Sequence, residues 1–141
     1  MKIRLIIAKE RVVVTASVRY KRVFGHIEFF VDTGSDTSFI SPTDAVRLKL
    51  SPASFPFKCN AKIGGSSLAL NKMENVSLAF LNENGEKEEL NNPEFLIACG
   101  VRKKDETAYS IPSIIGLNFL KEHKLELRVN PAKNEAYLER E

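Results

Sequence analysis

Histidine and cysteine are scarce in this sequence, with two of each among 141 residues, and their positions exclude most metal and redox chemistry. His26 and His123 stand far apart with no ligand-spaced neighbours, so both read as surface residues, one on a strand and one on a helix, and no metal is expected. Cys59 and Cys99 lack the CxxC spacing of a zinc knuckle or a redox pair, which leaves two buried, reduced thiols as the expectation. No apolar run is long enough to cross a bilayer. The stretch from Met1 to Glu10 (MKIRLIIAKE) breaks its apolar residues with charge too early for the core of a secretion signal. A soluble, cytoplasmic chain without a membrane partner is therefore expected. Phosphate-binding glycine loops of the P-loop or dinucleotide kind are absent, and so is a G-x-S-x-G elbow; Ser66 and Ser67 sit beside a glycine pair with no matched histidine. Nucleotide chemistry is thus not indicated, and serine hydrolysis is poorly supported. The net charge of +3 is spread thinly. Only Arg19 to Arg22 and Arg102 to Lys104 form small basic groups, which read as solvated loop charge, so nucleic acid is not an expected partner.

What remains is an ordinary globular composition, 43% apolar and 28% charged, long enough for one core and too short for two. A single domain over residues 1–141 is the expectation. β-Branched and aromatic runs dominate: Ile3 to Ile7, Val12 to Val18 and Val23 to Val31 read as three strands, the last two a hairpin turned at Tyr20 to Arg22. Ser41-Pro42-Thr43-Asp44 then supplies an N-cap, a proline at the first helical position and an acid in the first turn, predicting a short helix through Leu50. Strand signals return at Phe57 to Lys62, Ser67 to Leu70, Val76 to Leu81 and Phe95 to Cys99, with turns at Gly64-Gly65 and Asn84-Gly85. Val101 to Ser110 reads as a polar loop. Ile114-Ile115 is a short apolar strand ending at Gly116, followed by a helix over Leu117 to Glu122, a strand at Leu125 to Val129, a turn at Asn130-Pro131 and a last strand at Glu135 to Leu138. Mostly β with two short helices, the pattern points to a closed barrel or a sandwich.

The informative segment is Phe29-Phe30-Val31-Asp32-Thr33-Gly34-Ser35-Asp36, in which a bulky apolar strand delivers an acid into a Thr-Gly-Ser turn. An acid at the end of a buried strand feels desolvation and nearby donors in opposition, the balance by which a carboxyl is tuned for acid–base work. With Phe39-Ile40 behind it, this segment resembles the active-site loop of aspartic peptidases. Ile114-Ile115-Gly116 and the helix after it resemble the apolar-apolar-glycine element that packs behind that loop. Ile63-Gly64-Gly65, at the tip of an expected hairpin, resembles the glycine-rich flap of retroviral proteases. No tyrosine lies between Phe55 and Met73, which favours the retroviral over the pepsin type.

The resemblance implies a retropepsin-like closed β-barrel that works as a homodimer without a cofactor, because the chain holds one Asp-Thr-Gly loop where pepsin-like enzymes hold two. Asp32 and its symmetry mate would form the catalytic dyad on a polypeptide substrate. Thr33 would bond across the two-fold axis, Gly34 would give the backbone close approach, and Ser35 would donate its hydroxyl to the outer oxygen of Asp32. Asp36, Ile63, Gly64, Gly65 and Ser66 would meet substrate. The family's arginine after the Ile-Ile-Gly element is Leu117 here, so Asp36 lacks its usual partner. Ser35, where retroviral enzymes have alanine, resembles cellular members. A different class of function fits the same residues: a catalytically inactive module of this fold that binds peptides or dimerises. For Asp32 alone, an acid capping a turn is the plainer reading.

Overall fold

A computed structural model of the chain describes residues 1–63, 66–99 and 111–140. The apolar runs form strands where their spacing predicts: β1 (Lys2–Ala8), β2 (Arg11–Tyr20) and β3 (Val23–Val31), then the two-residue β4 (Phe39–Ile40). Helix α1 (Pro42–Arg47) follows, then a 3-10 turn (Pro52–Ser54), β5 (Phe57–Ile63), β6 (Ser66–Leu81) and β7 (Lys87–Ala98). The short β8 (Ser113–Ile115) leads into α2 (Leu117–Glu122), β9 (Glu126–Asn130), a second 3-10 turn (Pro131–Lys133) and β10 (Glu135–Glu139). Lys9 and Lys21 turn the first two hairpins with left-handed backbone, φ 58° and 51°. Gly85 does the same between β6 and β7, φ 79°, where glycine adopts that conformation at no steric cost.

The strands pair in the order β5-β6-β7-β4-β8-β3-β2-β1-β10-β9, and β6 pairs a second time, with β2 through Ser17 to Arg19 against Ser77 to Ala79. That second pairing joins β2, β3, β8, β4, β7 and β6 into a ring. Inside it lie Ile27, Phe29, Leu78, Phe80, Ile97 and Phe119, all nearly or fully excluded from water. Each such side chain contributes about 1.5–3 kcal/mol by burial, and Phe119 carries α2 into the core edge-on against Phe80, 6.1 Å between ring centres. A smaller cluster of Phe39, Leu68, Leu70, Leu96, Ile111 and Ile114 lies where the β5–β6 hairpin joins the ring.

Several expectations need correction. Ser67 to Leu70 and Val76 to Leu81 belong to one sixteen-residue strand, because β6 pairs with β7 along most of its length and the intervening Asn71 and Met73 are buried there. Strand β7 starts eight residues before Phe95, its acidic first half paired to β6. Helix α1 ends at Arg47, short of Leu50. Cys59 and Cys99 are free but half-buried; desolvation raises the Cys99 thiol above its ordinary value. The Gly64-Gly65 turn and the Val101 to Ser110 loop fall outside the described residues. Among those described, no helix is long and apolar enough to cross a membrane.

His123 differs most from its expected place on a helix surface. It closes the C-terminus of α2, is 9% exposed, and its ring packs on Phe119 with centres 4.5 Å apart. Its Nε2 lies 2.8 Å from Asn92 Oδ1. Because Asn92 donates both amide hydrogens, to the Val76 and Leu90 carbonyls, its oxygen must accept, and the neutral imidazole therefore carries its proton on Nε2. Burial lowers the His123 pKa, with Glu122 opposing and Arg140 adding to the shift. The unfolded chain thus binds this proton more readily than the folded one. The stability it contributes is complete above about pH 6.5 and is lost as pH falls from there through the folded-state value. Denaturant titrations from pH 7.5 downward should show this loss, and His123→Gln should flatten the profile; an unchanged slope in the variant would remove His123 as its source.

Candidate active site

The parallel pairing of β3 with β8 fixes where Asp32 emerges. Phe29, Phe30 and Val31 run beside Ser113, Ile114 and Ile115, and the ladder ends with the Asp32 amide donating to the Ile115 carbonyl at 2.9 Å. The chain then turns at once: the Ser35 amide donates to the Asp32 carbonyl at 3.1 Å, and the Gly34 amide donates to Asp32 Oδ1 at 2.9 Å. The Gly34 bond fixes the direction in which the Asp32 carboxyl points. The returning strand β4 passes on the other side of β8, Phe39 opposite Ile114, so β8 threads between the entry and exit of the loop.

The loop is bolted to the start of α2. Leu117 and Asn118 amides donate to the Ser35 and Asp36 carbonyls at 2.8 and 3.2 Å. Ser38, 1% exposed, accepts from the Gly116 amide at 2.8 Å and donates to Asn118 Oδ1 at 2.7 Å. Gly116 lies so close beneath the loop that a Cβ there would sit 2.5 Å from the carbonyl oxygens of both Ser35 and Thr37. Further back, the Ser113 hydroxyl accepts from the Ser41 amide at 2.8 Å and donates to Asp44 Oδ2 at 2.6 Å. Ser41 and Asp44 in turn cap α1, and Arg47 joins Asp44 to the His26 carbonyl. Sequence reading found Ser41 and Asp44 through their capping pattern. It missed Ser38, Ser113 and Asn118; the last two stand out locally only as polar residues in an apolar stretch, and Ser38 is one of several polar residues of the loop.

Two expected features of the loop are corrected. Asp32 is exposed in the single chain rather than buried at its strand end, as are Thr33 and Gly34, because the apolar ladder stops one residue earlier. The Ser35 hydroxyl does not reach Asp32; it donates to the Thr37 carbonyl at 2.7 Å and stiffens the turn from within. Asp36 is exposed and, among the described residues, makes no ion pair, while Leu117, whose amide is bonded to the loop, is 44% exposed. Asp32, Gly34, Ser35 and Asp36 face Asn60, Ala61 and Lys62 of β5 across a cleft of about 480 Å³ floored by Ile114. Of the expected flap tip, Ile63 and Ser66 are paired across the β5–β6 hairpin, and Gly64 and Gly65 fall outside the described residues. No group of three or more His, Cys, Asp or Glu among the described residues is placed to hold a metal ion.

The crystal structure of a retropepsin-like aspartic protease from Rickettsia conorii superposes with a TM-score of 0.60 over 97% of this chain and 98% of that one, at 16% sequence identity. The chain has a retropepsin-like fold. No protein-family model matches the sequence, and no curated protein does. At that identity the likeness is one of fold.

The retropepsin-like loop depends on Ser38 and Gly116, and both dependences are measurable. Ser38→Ala leaves the buried Gly116 amide without a partner and should cost about 1–3 kcal/mol in urea unfolding. Gly116→Ala sets a methyl against two backbone carbonyls with nowhere to move, so it should destabilise more than Ser38→Ala; equal or smaller loss would show that the loop yields freely.

Proposed function

We propose that this chain is one single-domain half of an aspartic endopeptidase, and that two copies related by a two-fold axis each contribute Asp32. The carrying observation is the Asp32 carboxylate, exposed on a braced turn and oriented by the Gly34 amide over a cleft that the β5–β6 hairpin covers. On this reading the ring of strands is the closed barrel of the acid-protease type, the hairpin is its flap, and no cofactor takes part.

A lone exposed carboxylate is a weak base and has no acid partner. Two brought within a few ångströms cannot both ionise easily, so the pair shares one proton and titrates as a unit. The ionised Asp32 takes a proton from a water whose oxygen attacks the peptide carbonyl carbon, while the protonated Asp32 gives its proton to the carbonyl oxygen. In the collapse of the tetrahedral diol the C–N bond breaks, the leaving nitrogen takes a proton from one Asp32, and a diol hydroxyl gives its proton to the other as the carboxyl C=O forms, which restores the singly protonated dyad. Thr33, exposed beside Asp32, is positioned on this reading to bond to its counterpart across the axis. Asp36, Ile63, Gly64, Gly65 and Ser66 are the proposed contacts to an extended peptide, whose entry and exclusion of water the hairpin controls.

The direct experiment is digestion of an unfolded protein across a pH series by the wild type and by Asp32→Asn, with mass measured by light scattering in each buffer. Cleavage by a wild-type dimer that rises in acid, and falls about 100-fold or more in the variant, is the expected result. A folded dimer that leaves every substrate intact would instead make the chain a peptide-binding or dimerisation module of the same fold.

A further inference from the structure

The floor of the cleft does not end at Ile114. Residues directly opposed in a ladder share a face of the sheet. Ile114 of β8 is opposed to Phe30 of β3, which is opposed in turn to Val13 of β2. Phe29 and Val31 point into the ring, so Phe30 points out of it, on the side where Ile114 floors the cleft. Phe30 is only half-buried, and what covers its ring is the Arg11 guanidinium, 5.0 Å from the ring centre. Val13 and Phe30 are the last pair of the β2–β3 ladder, so Arg11, at the start of β2, lies level with the point where Asp32 leaves β3. Arg11 is exposed and, among the described residues, makes no ion pair. Stacking occupies the flat face of a guanidinium and leaves the N–H donors along its edge open to an acceptor.

We propose that Arg11 is a specificity-determining residue, which takes an aspartate or glutamate side chain of the bound peptide over Phe30 and so selects acidic polypeptides as the substrate class. The proposal rests on the half-enzyme reading above, because it places this contact at a fixed spacing from the bond held at Asp32. Phe30 fixes the cation where a side chain leaving the cleft floor on the β3 side must pass. A guanidinium so held offers a carboxylate two parallel hydrogen bonds at little further cost in side-chain freedom, and it repels a lysine or arginine at the same place. The hairpin side of the cleft makes no such choice, since Lys62 and Asp36 there bring one charge of each sign. The net charge of +3 acts in the same direction at longer range, drawing acidic chains toward the protein.

Short synthetic peptides that differ in a single residue, Glu, Gln or Lys, moved through successive positions, test this on the full chain. Two quantities are read: the cleavage rate by the wild type, and affinity for Asp32→Asn and for its Arg11 double variants by fluorescence anisotropy, with circular dichroism to confirm folding. At one position Glu should be preferred to Gln by about tenfold, and to Lys by more, in kcat/KM and in affinity alike. Arg11→Glu should reverse that order, and the milder Arg11→Gln should level it. Arg19→Glu is the control: it alters a guanidinium stacked on Phe24 in the same way, 5.6 Å from the ring centre, and should leave the preference as it is. A folded Arg11→Glu variant that keeps the wild-type order overturns the proposal, as does a preference that Arg19→Glu removes. If peptides are cleaved with no charge preference at any position, the role of Arg11 falls and the peptidase reading stands. If none is cleaved but Glu peptides bind in a manner that depends on Arg11, the role of Arg11 stands and the peptidase reading falls. Peptides neither cleaved nor bound overturn both.

Discussion

The contact on which the rest of the molecule depends is the approach of Gly116 to the underside of the Asp32 loop. Two carbonyls of the loop lie where a Cβ of residue 116 would be, and from that closeness follow the Leu117 and Asn118 amide bonds to the loop and the bond from the Gly116 amide to Ser38. The approach is possible only because β8 runs between β3 and β4, parallel to one and antiparallel to the other. Local sequence preferences can form each strand, but none of them can bring β8 to that slot. The closed ring supplies it: Ser77 to Ala79 of β6 pair with β2 on one edge while staying in the β7 ladder on the other.

Around that contact the interior is unusually polar for a mostly β core. Ser38, Ser41 and Ser113 are all buried, and each is satisfied by a named partner; among the described residues no buried side-chain N or O lacks one. Such a network is stable only when complete, since each orphaned donor or acceptor costs far more than a formed bond returns. The physical effect is to make the loop conformation all-or-none. A side chain on a flexible turn samples many directions; Asp32 sits on a turn held at its entry and exit by β8 and from beneath by Gly116, Leu117 and Asn118.

How much of this is legible in the sequence divides by distance along the chain. The α1 cap, the first two hairpins and the Asp-Thr-Gly turn are short-range, and their residue types announce them. The Ile-Ile-Gly strand is legible only through its resemblance to a known element, because three apolar residues have no periodicity to read. What escapes are pairs joined by tertiary structure: Ser38 with Asn118, Asp44 with Ser113, and Asn92 with His123. For His123 the surface reading fails because a helix-end histidine is ordinarily solvated, and the acceptor that draws it inward lies on a strand whose own start was not legible. The Ser35 hydroxyl goes to the Thr37 carbonyl, two residues on, a partner set by the turn's own backbone and not by residue type.

The exposure of Asp32 is the last step in the same logic. A carboxylate in water has little catalytic power, and the single chain leaves Asp32, Thr33 and Gly34 in water while it goes to great lengths to fix the backbone beneath them. Rigidity at an exposed acid has no use in a monomer, where a mobile turn would solvate the charge equally well. It matters when the surface must match a copy of itself, because a two-fold interface repeats every positional error on both sides of the axis. On the half-enzyme reading, the bracing behind the loop serves that match, and the dehydration of the carboxyls is left to assembly.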